Sequence, residues 1–214
     1  NFREETRKSL GNPDKELPCD YVMTYFTPLG SDGLTLKSTH RIVKNIEKGI
    51  ILGLNSALSK YFDISEAKDS KDLFSILGGV EKNEQSLGAY KDSKFYLLRL
   101  RRGLDINKII DIDHPYEYKK LSVVILNQLI LNKIFKFSKE DFAGRSLSYT
   151  DDADLAIKTV DEKNADMVFF LNPVKVSDMT SLALQGVRLP PKSTYFYPKL
   201  LSGLVINKFS EGMS

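Results

Sequence analysis

Leu147-Ser148-Tyr149-Thr150-Asp151-Asp152-Ala153 and, a short way on, Met167-Val168-Phe169-Phe170-Leu171 are the residues whose reading decides the fold. The first three read as a short strand. Thr150-Asp151-Asp152-Ala153 reads as a helix start, with Thr150 as the cap and two aspartates near the positive N-terminal end. That helix is expected to run through Ala156, Ile157 and Val160 to about Lys163. Ala165 to Leu171 is apolar almost without a break, the mark of a strand buried on both faces. Asn172-Pro173 ends it. Ser177 is then placed to cap a helix through Leu184 with Gly186 as its terminator, and a last strand is expected from Leu204 to Phe209. Strands alternating with helices in this way predict a sheet with helices packed on it.

Working upstream, Gly88-Ala89-Tyr90, the turn Lys91-Asp92-Ser93-Lys94 and Phe95 to Arg102 read as a β-hairpin. Alternation puts Tyr96, Leu98 and Leu100 on one face and Phe95, Leu97, Arg99 and Arg101 on the other. Between hairpin and sheet, His114-Pro115 opens a long helix, about Tyr116 to Phe137, apolar around most of its circumference and so expected at the centre. Helical spacing of Ile50, Ile51, Leu54, Leu58, Tyr61 and Phe62 predicts a helix from about Ile46 to Phe62, and a short one follows over Asp69 to Leu77. Strands are expected at Cys19 to Leu29, before the turn residues Gly30 to Gly33, and at Thr35 to Val43. A first helix runs to about Leu10, where Gly11-Asn12-Pro13-Asp14 stops it. The hairpin adds antiparallel pairs, so the fold class is α+β with a mixed, largely antiparallel sheet and packed helices. No internal repeat is present.

The chain has 214 residues, 42% hydrophobic and 28% charged, enough to bury a core. With 31 basic against 28 acidic residues the net charge is only +3, which gives no electrostatic case for nucleic acid or a membrane surface. Leu121 to Phe135, the most apolar run, is interrupted by polar residues and falls short of the ~18 needed to span a bilayer. One cysteine, Cys19, excludes an internal disulfide and fits a reducing cytoplasm. With two histidines besides, no spacing suggests a metal site. The first residue is Asn, and Asn1 to Lys8 reads as a helix already under way, without a cap or proline start. The chain is therefore expected to be a C-terminal fragment of a longer protein, a single α+β domain over 1–214 whose residues 1–43 continue a preceding half.

Pro190-Pro191-Lys192-Ser193-Thr194-Tyr195-Phe196-Tyr197-Pro198-Lys199 carries the first candidate chemistry. Two ammonium groups, two hydroxyls and free loop amides suit an anion, and Tyr195 and Tyr197 offer faces for a ring. The plainer reading is an edge strand whose prolines block further pairing. Regular alternation would split Lys192, Thr194 and Phe196 from Ser193, Tyr195 and Tyr197. Thr39-His40-Arg41 is the second candidate, His40 for acid–base work and Arg41 as a bidentate anion clamp, against a strand-end histidine beside a solvated arginine. His114 reads as a turn residue. Arg99, Arg101 and Arg102 are the one local basic cluster. No Walker, dinucleotide or nucleophile-elbow motif is present.

Lys192 to Leu200 followed by Gly203-Leu204-Val205-Ile206-Asn207 resembles the C-terminal signature of an uncharacterised bacterial family, DUF1015. Further pieces match in order: Tyr21-Val22-Met23, Tyr25-Phe26, Thr39-His40-Arg41, Tyr96-Leu97-Leu98-Arg99, Tyr149-Thr150 and Phe170-Leu171-Asn172-Pro173. Asp151 and Asn127 stand where that family commonly has histidine. The resemblance implies a preceding half with an Asp-Gly-His-His-Arg-type motif, similar to the ParB/sulfiredoxin-like fold that includes nucleotide-binding proteins and free-serine kinases. It implies a cytoplasmic accessory half covering a nucleotide or phosphorylated small molecule, ATP or ADP in the intact protein, with catalysis absent from this part alone. The site residues expected on that basis are Lys192, Ser193, Thr194, Tyr195, Tyr197, Lys199, Thr39, His40 and Arg41. The rival expectations are a non-catalytic protein-interaction module and a DNA-associated regulator using the Arg99–Arg102 strand.

Overall fold

The computed structural model describes residues 2–11, 16–17, 20–28, 35–79, 84–201 and 203–206. They fall into two compact units, one of Asn1–Leu34 with Pro198–Ser214 and one of Thr35–Tyr197. In the first, α1 (Phe2–Ser9) carries Glu4 and Glu5 in its first turn and Arg7 and Lys8 in its last, the arrangement the helix dipole favours. Asp20 accepts the Leu17 amide at 2.9 Å and pairs with Arg7 Nη2 at 2.8 Å, and these partners hold its carboxyl below the usual carboxylate range. The strand expected from Cys19 to Leu29 is not formed over 20–28. Tyr21, Val22, Met23, Tyr25 and Phe26 are exposed there, and β-propensity without a partner strand builds no ladder. Cys19, Leu29 and the Gly30–Gly33 turn lie outside the described residues, as do Asn12, Pro13 and Asp14. Residues 203–206 form turns and bends rather than the expected last strand, whose end at 207–209 is also outside.

The second unit is built on a six-stranded sheet. Its strands are β2 (His40–Val43), β3 (Phe62–Ala67), β4 (Ser86–Lys91), β5 (Lys94–Leu100), β6 (Leu147–Thr150) and β7 (Met167–Phe170), in the order β3-β5-β4-β7-β2-β6. Every pairing in it is antiparallel. A separate two-stranded ribbon pairs β1 (Thr35–Lys37) with β8 (Tyr195–Tyr197). The fold class is thus α+β. The β6–helix–β7 unit leaves room for β2 between its two strands, with Ile42 opposite both Ser148 and Val168.

Helices cover both faces. On one lie α4 (Ser70–Gly78) and α8 (Ala153–Asp161), whose Leu73, Leu77, Ala156 and Val160 pack with Ile42, Tyr90, Leu97, Val168 and Phe170. On the other lie α2 (Lys48–Leu52), α3 (Leu54–Leu58), α5 (Ile106–Ile109), α6 (Tyr116–Lys119), α7 (Ser122–Ile125) and the π-helix Leu126–Ile134. This second core takes in Val43, Leu87, Ala89, Leu98, Leu126, Leu129, Ile130 and Phe169. Gly88 lets α4 come close: a Cβ there would lie 2.9 Å from Leu73 Cδ2 and 3.1 Å from Phe170 Cβ.

Several elements differ from expectation. The helix expected over Ile46 to Phe62 breaks at Gly53 into α2 and α3, and Phe62 begins β3, whose polar residues Asp63, Ser65 and Glu66 hide the strand signal. Thr35 to Val43 is two strands in two sheets. The long helix is three pieces, and the Phe135 amide reaches back to the Ile130 carbonyl at 2.8 Å in a wide i→i+5 turn. Asp152, not Thr150, caps α8, accepting the Leu155 amide at 3.0 Å. The helix α9 (Val176–Leu184) begins after Lys175 with no side-chain cap. The hairpin turn is as read, with Asp92 and Ser93 both at positive φ.

Candidate functional site

Strand β2 splits its two candidate residues. One-residue alternation sends His40 and Ile42 to the α4/α8 face and Arg41 and Val43 to the other. The His40 ring lies 5.1 Å from that of Phe170 and 6.0 Å from that of Phe74, and its Nδ1 accepts the Leu171 amide at 3.4 Å. Burial, and then the neighbouring Arg41 charge, push its pKa down to about 4. At neutral pH His40 is an uncharged core side chain and an amide acceptor, placed among aromatic rings.

Arg41 is the unusual residue. It is 1% exposed, yet it lines a cleft of about 500 Å³ at the end of the sheet where β2 and β4 begin and β7 leaves. Its Nη1 donates to the Thr39 carbonyl, and its Nη2 donates to the Lys192 carbonyl at 2.9 Å. Its Nε has no hydrogen-bond partner, and among the described residues no carboxylate pairs with it. The guanidinium carbon lies 5.5 Å from the centre of the Tyr149 ring. Burial lowers its pKa to about 10, so it stays cationic at neutral pH. A buried cation with an unused donor is costly, and an anion in the cleft would offset that cost.

A second buried donor meets the same cleft. Ser86, 3% exposed at the start of β4, has a hydroxyl with no partner. Lys120, Leu121, Ser122 and Val123 form another wall, and Leu121, ahead of α7, has no side chain to cap that helix. Leu77, Leu171, Val174 and Val176 make the apolar part. Asn172 fixes the exit of β7 by donating to the Leu77 carbonyl at 2.7 Å. Lys175, Glu84 and Asp178 complete the charges, and Glu84 is 3.6 Å from Arg99 Nε. Arg41, Lys120 and Lys175 outnumber the two carboxylates, so the cleft is suited to a negatively charged group with an apolar body.

The sequence candidates divide accordingly. Thr39, Arg41 and Ser193 meet in the cleft. Ser193 is buried, with its hydroxyl donating to the Pro190 carbonyl at 2.6 Å. Lys192 sits in a turn at φ 58, outside the cleft lining, and reaches Arg41 with its carbonyl. Thr194 is half-buried. Tyr195 and Tyr197 are in the ribbon, where Lys37 Nζ stands 4.2 Å above the Tyr197 ring. Because the strand begins only at Tyr195, alternation does not govern Lys192 to Thr194. Lys199 belongs to the other compact unit. Of the basic cluster, Arg99 faces Glu84, and Arg101 lies 3.1 Å from Asp63 and donates to the Ser59 carbonyl. His114 stacks on Tyr118, ring centres 4.1 Å apart. Sequence reasoning missed Ser86, Lys120 and Asn172. Asn172-Pro173 was legible as a strand end, but nothing local marks the other two.

The model of the family described as "Protein of unknown function (DUF1015)" matches residues 1–124. No curated protein matches the chain. Among solved structures, the chain is similar to a conserved hypothetical protein from Pyrococcus furiosus (16% identity, TM-score 0.43, covering 78% of this chain and 57% of that one). It is similar also to a free serine kinase in complex with AMP (13% identity, TM-score 0.43, covering 78% and 55%). The chain thus spans little more than half the length of the structures it matches. Likenesses this distant leave the chemistry of the cleft to be read from its own residues.

Proposed function

The chain belongs to the DUF1015 family, described as of unknown function, and we propose that it binds a small phosphate-bearing molecule, a nucleotide or other phosphorylated compound, in the cleft walled by Arg41 and Ser86. One observation carries this reading: a fully buried guanidinium with an unpartnered Nε in the wall of an open cavity, with a second buried and unpartnered donor, Ser86, lining the same cavity. A phosphoryl group offers acceptors in several directions at once, which suits donors arriving from β2, β4 and the start of α7. The cleft is larger than one phosphate, and its aliphatic wall suits an organic body attached to it. His40, the sequence's candidate for acid–base work, faces the other side of the sheet, and the carboxylates of the cleft are Glu84 and Asp178. The role the buried donors support is binding.

The test is calorimetric titration with ATP, ADP and inorganic pyrophosphate, on the parent and on Arg41→Gln and Ser86→Ala. Binding by the parent that weakens tenfold or more in Arg41→Gln is expected. Equal affinity in parent and both variants would refute the site.

A further inference from the structure

We infer that the Pro190–Ser193 turn is the positioning element of this anion site, and that Lys192 serves it through its main chain, not its ammonium group; the inference rests on the anion-binding reading of the cleft. Three observations converge on that turn. The Lys192 carbonyl accepts from Arg41 Nη2 at 2.9 Å, a bond between residues far apart in sequence that fixes one edge of the guanidinium. With Nη1 held by the Thr39 carbonyl, the two acceptors orient the group and leave Nε free. Lys192 makes its contact from a left-handed backbone, φ 58, which a non-glycine residue occupies only where its surroundings hold it. The next residue, Ser193, is buried in the cleft wall and ties the turn to itself through the Pro190 carbonyl at 2.6 Å.

The lysine side chain has no such role. Lys192 is exposed and does not line the cleft, whereas its neighbour Ser193 does. The turn leads directly into β8, whose partner β1 contributes Leu36 to the same cavity. Ribbon and turn are thus joined to the buried cation by the Lys192 carbonyl, and an anion that takes up the remaining Arg41 donors should tighten that joint.

Substitutions at one position separate backbone from charge. Lys192→Gly removes the ammonium and favours the left-handed conformation. Lys192→Pro removes the same ammonium but locks φ near −65° and turns the carbonyl away. With ADP and pyrophosphate as probes, Lys192→Gly should bind within about threefold of the parent and Lys192→Pro at least tenfold more weakly, both keeping the parent's near-ultraviolet circular dichroism. Hydrogen exchange across 190–197 should slow on adding ADP to the parent and to Lys192→Gly, but not to Lys192→Pro. Equal losses in the two variants would show that the charge is what matters and overturn the inference. So would unchanged affinity in both, or exchange at 190–197 that ignores bound ADP. Failure of the parent to bind either probe would instead remove the anion site itself, and this inference with it.

Discussion

Replacing Arg41 by methionine tests whether the guanidinium is there for a ligand or for the fold. Its pKa, lowered to about 10 from an ordinary arginine value of ~12.5, corresponds at about 1.4 kcal/mol per decade to roughly 3 kcal/mol of charge burial that folding must offset. Against this stand two hydrogen bonds from a charged donor to carbonyls, each worth about 1.5–3 kcal/mol. The bond to Lys192 is only partly buried, so its carbonyl can find water when Arg41 is gone, and only the buried Thr39 acceptor is left short. The net is about 0–3 kcal/mol in Arg41's favour. Arg41→Met should therefore destabilise by no more than about 3 kcal/mol, at the low end of the about 3–5 kcal/mol that breaking a fully paired buried ion costs. Ligand linkage then separates the proteins. At one hundred times its dissociation constant an anion stabilises the parent by about 2.7 kcal/mol, a rise of roughly 5–10 °C for a chain this size, and Arg41→Met should show none. Urea unfolding without ligand and thermal unfolding with ADP or pyrophosphate measure both. A ligand-free loss well above 3 kcal/mol would mean that Arg41 is a fully engaged structural residue, and the argument from its unused donor would fail.

Ser86→Ala removes a buried hydroxyl that has no partner, so ligand-free stability should hold or rise by up to about 1 kcal/mol while anion affinity falls, as urea unfolding and calorimetry would register. His40 sets a pH dependence: unfolded, it takes up a proton near 6.5, folded only near 4, so its contribution is complete above pH 6.5 and is lost as pH falls between those values, by roughly 3 kcal/mol in all. The slope of urea stability from pH 7 to 4.5 should therefore flatten in His40→Phe, and an unchanged slope would place the titration elsewhere. Gly88→Ala forces a methyl to within 2.9 Å of Leu73 and 3.1 Å of Leu77 and Phe170, and should cost about 1–3 kcal/mol unless α4 can shift; a neutral result would show that it does.

What could be read from the sequence follows from how locally each feature is encoded. Met167–Phe170 is buried at every position, as its unbroken apolar run demands, and the Asp92-Ser93 turn is set by residues that tolerate positive φ. β3 was missed because the adjacent, exposed Ser65 and Glu66, with Asp63, break an apolar alternation, and because Phe62 also completes a helical pattern begun at Ile50. The same distinction governs the site. Arg41 could be named as an anion clamp from its residue type, but its isolation from any carboxylate among the described residues is a tertiary fact. Ser86 and Lys120 join it only because the order β4-β7-β2 puts the start of β4 and the entry of β2 at the same end of the sheet, one strand apart, where residues 120–123 also line the cleft. The 190–199 stretch shows the converse. Its lysines and tyrosines drew attention as side chains, yet what it brings to Arg41 is a backbone carbonyl held at positive φ, which any residue tolerating that conformation could supply. Composition cannot distinguish a lysine chosen for its charge from one that merely occupies a turn. The contrast between glycine and proline at position 192 can, because both lack the charge and only one keeps the turn.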